Sequence, residues 1–363
     1  MSARASPFHV RMAEHNLGNV WASRGAFTLA ARFGDPRQEA LAARAACVMI
    51  DASFLTRLRL NGAGAAKLLA AACAFDAEAL AAGNSQRVFW RANGGGVRGM
   101  GTAARFGATN FILRSFESDG AWFDAAAKRF DAAVRDETLE KGLLFLLGPR
   151  AADVLAAVDL HEAALLEPGK HAVFPWRGVN VMVSRWSALS RALDGYEIGC
   201  ANNDAVTVFD RLWRAGQNLG LVLAGQEAFN TLLLEQGVPI PGVDFAPARE
   251  AKAREPAPDS LGLIAPSRGA LRTLAGLEFD SEEPAAFAPI LRNGAIIGAT
   301  MRSAYSPVLR RAIALAQIDR AQANAETAVA VRRLTPKGDE TVIARVTSLP
   351  IVAPAMNTPS KRA

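Results

Sequence analysis

Cysteine and tyrosine are scarce in this 363-residue chain, and each shortage closes off a class of protein. The three cysteines, Cys47, Cys73 and Cys200, lie far apart with no Cys-x-x-Cys pair. That spacing excludes a thiolate metal site and a disulfide framework. Only two tyrosines are present, and the arginines are scattered, with no Lys/Arg run longer than a few residues. Basic surface interleaved with stacking rings is therefore missing, and nucleic acid is not an expected partner. The net charge of +6 describes a mildly basic protein, with attraction of small anionic ligands as an intermediate reading. Long apolar runs are lacking too: stretches such as 143–147 and 219–224 fall far short of the ~20 residues of a membrane span. The first sixteen residues are polar, include an acid and have no apolar core of the secretory type. A reducing cytoplasm is the expected setting.

Half the residues are hydrophobic, enough for a sizeable interior, and the length predicts two or three domains. Alanine-rich helices are expected over 38–46 and 62–72, with strands over 48–55 and 56–60. Strands follow over 86–90, 103–106 and 110–113. The glycine cluster between the first two (93–101) has no helix after it and no Lys-Ser/Thr, so it predicts a hairpin and not a phosphate cradle. An amphipathic helix is expected over 121–134, a buried strand over 143–147, a helix over 151–158, and a hairpin turning at Arg177-Gly178. The stretch 185–242 is central: strand, turn at Gly195, strand, then two helices, the second ending at Gly237. The Pro-, Ala- and charge-rich segment 246–259 opens a linker, and short strands with Gly and Pro turns fill 284–352. Alanine content alone would make 308–322 helical.

Several segments, in order and at similar spacing, resemble the glycine-cleavage T-protein (aminomethyltransferase) family. They are His15 to Gly18, Glu39 to Arg44, Ile50-Asp51-Ala52-Ser53 with Leu60-Asn61-Gly62, Asn93 with Gly95-Gly96, and Leu147-Gly148-Pro149. Then come Gly195-Tyr196-Glu197-Ile198, Leu234-Glu235-Gln236-Gly237, and Gly294 to Asp319 with Tyr305-Ser306-Pro307 inside it. The resemblance implies an α+β, three-domain cloverleaf around a central folate channel, with a C-terminal β-barrel or jelly-roll-like domain. It implies one discontinuous folate-binding domain from 1–50 and 140–245, a second domain over 51–139, a linker over 246–279, a β domain over 280–355 and a tail over 356–363. It also makes 308–322 a strand, against the alanine content.

Carried onto this sequence, the resemblance makes tetrahydrofolate the cofactor. Asp51 to Leu55, Phe89 and Leu113 would line the pterin slot, with Phe229 beside it, and Glu197 would face the pterin N–H edge, where two donors meet two carboxylate oxygens. Tyr196 and Tyr305 are the candidates for giving a leaving oxygen its proton; Tyr305 serves equally as a packing residue. The departures are as informative. Gly99 and Met100 stand where aminomethyltransferases carry an acid pair, and Phe229, Leu233 and Ala285 stand where arginines for the folate tail are expected. These losses argue against ordinary glycine cleavage. The tetrahydrofolate-dependent O-demethylase branch is closer, although it has a tyrosine where this chain has Phe229. The expected function is demethylation of a small methoxylated or N-methylated donor, with no nucleic acid, membrane or metal involved. The alternatives are a catalytically degenerate member binding another ligand or serving assembly, and a family-fold enzyme acting without folate. No feature indicates a partner subunit, though the sequence leaves room for one.

Overall fold

The computed structural model describes residues 3–73, 75–91, 97–185, 193–245, 272–281, 285–335 and 338–353. A six-stranded sheet lies at the centre, in the order 171–176, 179–185, 195–201, 141–147, 47–51, 221–223. All its pairings are antiparallel except Leu221–Leu223 on Cys47–Asp51. Both faces are apolar because both are covered. Cys47, Met49, Leu144, Leu146, Tyr196 and Ile198 pack beneath the helices Ala151–Ala157 and Ala205–Gly216. The alternate residues Val48, Ile50, Leu143, Phe145 and Leu147 pack against the helices Pro36–Ala45 and Gln226–Glu235. Period-two alternation thus divides each strand between two cores.

A five-stranded antiparallel sheet takes its strands from 56–136, between the first and later strands of the central sheet. One of its faces buries Leu58, Leu60, Val88, Trp90, Ala103, Phe111 and Leu113 under the helices Ala65–Ala72 and Gly120–Ala127. The second helix is shorter than the 121–134 expected, and Ala133–Asp136 is an edge strand on Thr56–Asn61. Residues 92–96, including Asn93, Gly95 and Gly96, lie outside the described residues. The strands on either side pair antiparallel, Arg91 opposite Val97.

The C-terminal strands close into a six-stranded barrel. Arg311–Asp319 is a strand whose alternate residues Ala312, Ala314, Ala316 and Ile318 fill the barrel core, so alanine serves here as small packing and not as a helix former. The linker boundary needs correction. Residues 246–271 lie outside the described residues, but Arg272–Phe279 is a barrel strand that turns Ala275, Leu277 and Phe279 inward. Arg177 and Gly178 both have positive φ, +49° and +87°, as the tight hairpin between 171–176 and 179–185 requires. Gly195 is not a turn residue. It opens the strand Gly195–Ala201, and a Cβ there would lie 2.4 Å from the Leu146 carbonyl oxygen.

The central lobe and the barrel are pinned together through one acid. Glu235, 0% exposed, accepts from Arg44 Nη2 at 2.9 Å and from Ser306 Oγ at 2.7 Å. Helix 226–235, helix 36–45 and barrel strand 295–306 meet at that carboxylate. Arg302 strengthens the joint, donating to the carbonyls of Asn230 and Val238 and lying 3.3 Å from Asp244.

Candidate functional site

The inward face of the central sheet, opposite the helices 151–157 and 205–216, carries the strongest candidate residues. Glu197 lies across from Phe145 in the strand pairing, and the Phe145 ring is 5.4 Å from that of Phe229. Phe54 stands 6.3 Å from Phe229 and 6.0 Å from Phe116, and Leu55 belongs to the same apolar cluster. Leu55, Phe229 and Glu197 are therefore brought together, on an aromatic wall with one acid in it.

Glu197 has a partner that the sequence did not announce. Arg114 Nη1 lies 2.5 Å from Glu197 Oε2, and both side chains are more than nine-tenths buried. The charges meet without a well-aligned hydrogen bond to Oε2. Burial pushes the Glu197 carboxyl above the ordinary range, and Arg114 and then Arg57 pull it partly back. Asp51 behaves alike: burial raises it, while the Ser6 hydroxyl and the Ser53 amide donate to it and lower it. The Glu197 face thus meets the five-stranded sheet on the side away from that sheet's own core.

Two expected site residues face elsewhere, for reasons of pleat. Leu113 is 0% exposed inside the five-stranded sheet's core; its neighbour Arg114 takes the site face. Tyr196, next to Glu197, points to the opposite face of the central sheet. Its hydroxyl donates to the Ala164 carbonyl at 2.6 Å and accepts from Arg185, and burial raises it further from ionisation. Tyr196 is a packing residue with a tethered hydroxyl. Tyr305 lies half-buried on the barrel strand, with Arg37 stacked 4.0 Å over its ring. Phe89 is half-buried beneath Arg87 at 4.9 Å, opposite Met100 and on the same sheet face as Arg114.

The acid-pair positions are unlike one another. Gly99 packs against Trp90, where an added Cβ would stand 2.3 Å from the indole, so that position admits no side chain. Met100 is buried on the face shared with Phe89. The three positions where arginines were expected are core: Phe229 is 0% exposed, and Leu233 and Ala285 are 2%. A different cation lies close by. The Arg24 guanidinium stacks 4.1 Å over Phe54 and 5.6 Å from both Phe116 and Phe229, and its Nη1 donates to Gln226 and Asn230. Burial, then Arg302, brings it down to about 9. Arg24 left no signal in the sequence, because its neighbours come from four separate segments. Arg114 left one, a charge inside the apolar strand 110–115.

A folate fits this donor set. A buried carboxylate oxygen without a well-formed hydrogen bond is flanked by aromatic rings, with a half-buried guanidinium nearby. No group of three or more His, Cys, Asp or Glu suited to a metal exists among the described residues. Likewise, among them no helix is long and apolar enough to cross a membrane.

Comparison with known proteins agrees with this architecture. Residues 10–252 match the family model described as GCVT N-terminal domain, and 272–352 match the glycine cleavage T-protein C-terminal barrel domain. The chain is 27% identical over 337 residues to an aminomethyltransferase of Streptomyces avermitilis, a match covering 86% of this chain and 89% of that one. Identity to the Thermus thermophilus aminomethyltransferase is 30% over 299 residues, covering 78% and 82%. The trimethylamine-oxide aldolase of Ruegeria pomeroyi is 28% identical over 323 residues, 82% of this chain but 41% of that longer protein. The crystal structure of glycine cleavage system aminomethyltransferase T from Bartonella henselae shares the fold, with a TM-score of 0.83 at 21% identity over 97% of this chain and 98% of that one. With both family models matched in order across most of its length, the chain belongs to the glycine cleavage T-protein family.

Proposed function

We propose that this protein is a tetrahydrofolate-dependent demethylase of a small methoxylated or N-methylated donor, working in the cytoplasm. The observation that carries the reading is the pairing of a retained Glu197 with the lost acid pair. Glu197 sits buried on an aromatic wall, while position 99 has no room for a side chain and position 100 is methionine. When bound, tetrahydrofolate supplies the ring nitrogen that accepts a one-carbon unit. Glu197 accepts hydrogen bonds from the pterin edge, Leu55, Phe229 and Phe89 exclude water, and no carboxylate at 99 or 100 is available to manage an aminomethyl amine. Segments 1–50 and 140–245 form the folate-binding unit in this reading. The trimethylamine-oxide aldolase relative lends support, since its name is that of an enzyme acting on a methylated amine oxide. Tyr305 remains the candidate proton donor, since the Tyr196 hydroxyl is tied to Ala164 and Arg185.

The test is incubation of the protein with tetrahydrofolate and a panel of methoxylated and N-methylated compounds, with 5-methyltetrahydrofolate read by mass. The expected result is methylated folate from at least one donor, and no ammonia from an aminomethylated lipoyl carrier. Ammonia release at the rate of an ordinary T-protein would overturn it. A second reading, action without folate, draws on one observation: Arg114 already meets Glu197. Absence of any tetrahydrofolate binding would favour that one.

A further inference from the structure

Among the described residues, no acid meets Arg24. The side chain ends the strand Trp21–Arg24, and the turn after it presses onto residue 54: at Gly25, with φ +57°, an added Cβ would stand 3.1 Å from the Phe54 carbonyl oxygen. That close approach lays the guanidinium 4.1 Å over the Phe54 ring and 5.6 Å from those of Phe116 and Phe229. Three rings around a cation are the arrangement that holds quaternary ammonium ligands. Here the chain's own side chain fills it.

Arg44, Arg302 and Arg114 each have a carboxylate: Glu235, Asp244 and Glu197 respectively. Arg24 has neutral partners instead. Its Nη1 donates to Gln226 Oε1 at 2.8 Å and to Asn230 Oδ1 at 3.1 Å, and its Nε and Nη2 have no acceptor among the described residues. The one charge recorded in its field there is another cation, Arg302, itself 3.3 Å from Asp244. Burial, with Arg302 second, lowers the guanidinium to about 9, which leaves it charged at neutral pH. Two amides and three rings do not neutralise a half-buried cation, so its presence is a cost to the fold. Its positive potential favours a neighbouring group that carries or gains negative charge, and opposes a cation.

We propose that Arg24 is a catalytic residue, the positive charge that receives the donor's leaving oxygen, and that the methyl donor is an ether rather than an ammonium or sulfonium compound. This rests on the demethylase reading. In ether cleavage the carbon–oxygen bond breaks, the electron pair stays with the oxygen, and the proton displaced from the nitrogen that takes the methyl group balances the charge. Until that proton arrives the oxygen is an anion, and a fixed guanidinium beside it lowers the barrier. An onium donor leaves as a neutral amine or sulfide, gains nothing from Arg24 and is repelled on approach. The same wall leads to the acid: Phe229, which the guanidinium faces, lies 5.4 Å from Phe145, and Phe145 pairs with Glu197.

The test uses the full chain and 4-nitrophenol, a stand-in for the leaving group whose ionised form is yellow. Titrated by absorbance, the bound phenol should ionise about 1–2 pH units below the free phenol. Arg24→Gln should remove that shift, and Arg24→Lys should keep part of it. A merely structural Arg24 would lower the melting temperature in both variants and leave the shift alone. Calorimetry with tetramethylammonium should give no heat with wild type, and binding once Arg24→Ala empties the three rings. No binding of the phenol, an unshifted midpoint, an equal shift in Arg24→Gln, or ammonium binding by wild type or by neither protein each overturns the assignment. A parallel tetrahydrofolate titration keeps the two claims apart. A shifted midpoint without folate binding would spare the oxyanion site and sink the folate reading; folate binding without a shift would do the reverse.

Discussion

Glu235 and Glu197 are both buried acids that meet an arginine, yet their surroundings differ in kind. Glu235 receives Arg44 and Ser306 on separate oxygens, from a helix and a barrel strand already fixed by their own cores. Glu197 meets Arg114, with Arg57 also in its field, and several guanidinium N–H groups beside it lack acceptors among the described residues. In the first arrangement each carboxylate oxygen has a donor from within the chain. The second leaves buried donors without acceptors among the described residues, the feature expected of a site that takes a ligand rather than of a structural lock. Retained family motifs therefore have two meanings here. Glu39-to-Arg44, Leu234-to-Gly237 and Tyr305-to-Pro307 meet where the central lobe joins the barrel, while Gly195-to-Ile198 carries the acid proposed to face a ligand.

If the contrast is right, breaking the lock should be the most damaging change to stability. Glu235→Ala removes the buried acceptor of Arg44, at 15% side-chain exposure, and of the Ser306 hydroxyl, and should cost about 3–5 kcal/mol. Thermal melting would show a large drop, whereas a shift of only a degree or two would mean that the joint is held by apolar contacts alone.

The open region should be the acid-sensitive one. His171 is held down to about 4, first by burial and then by Arg114, against an ordinary value near 6.5. Between those values the unfolded chain binds the extra proton, so stability is full above about 6.5 and is lost as pH falls through about 4. Glu197 and Asp51, both raised by burial, run the opposite way: their stabilisation is present at low pH and is lost as pH rises through their raised values. Comparing wild type with His171→Phe isolates the histidine. The variant should lose about 2–3 kcal/mol less than wild type on going from pH 7 to pH 4. Parallel pH–stability curves would show that His171 ionises freely in the folded protein.

The smallest effects belong to the tyrosines. Tyr196→Phe removes a buried hydrogen bond to Ala164 and should cost about 1 kcal/mol, with ligand affinity unchanged. A loss of affinity in that variant would place the hydroxyl in the site despite its orientation. Tyr305→Phe keeps the ring beneath Arg37 and should leave melting within about 0.5 kcal/mol of wild type. Demethylation should fall in Tyr305→Phe if the hydroxyl is the proton donor.

The fold was legible because motif order and alternation survive at low identity. The strand 311–319 shows the value of the first, since its alanines favour helix by composition and fill a barrel core in fact. The site was legible in part. Leu55 and Phe229 pack on the side of the central sheet that carries Glu197, whereas Leu113 and Tyr196 turn into other cores. Alternation says that neighbours in a strand face opposite ways; it does not say which face is core when both are covered. That ambiguity is why Leu113 was expected where Arg114 stands. The arginines around Arg114 were beyond reach for another reason: Arg57, Arg114 and Arg87 are scattered in sequence and become neighbours only through strand register.

The central claim, that Glu197 faces a ligand while Glu235 holds the fold, is tested most directly by calorimetric titration of tetrahydrofolate into wild type and Glu197→Gln. The variant keeps the shape but turns an amide N–H toward a pterin donor. Wild type should bind, and Glu197→Gln should bind about 30- to 1000-fold more weakly, the loss of a charged acceptor for buried donors. Because Arg114 is its partner, some stability will fall with it. Unchanged affinity in Glu197→Gln, with only the melting temperature lowered, would make Glu197 a second lock and contradict the account.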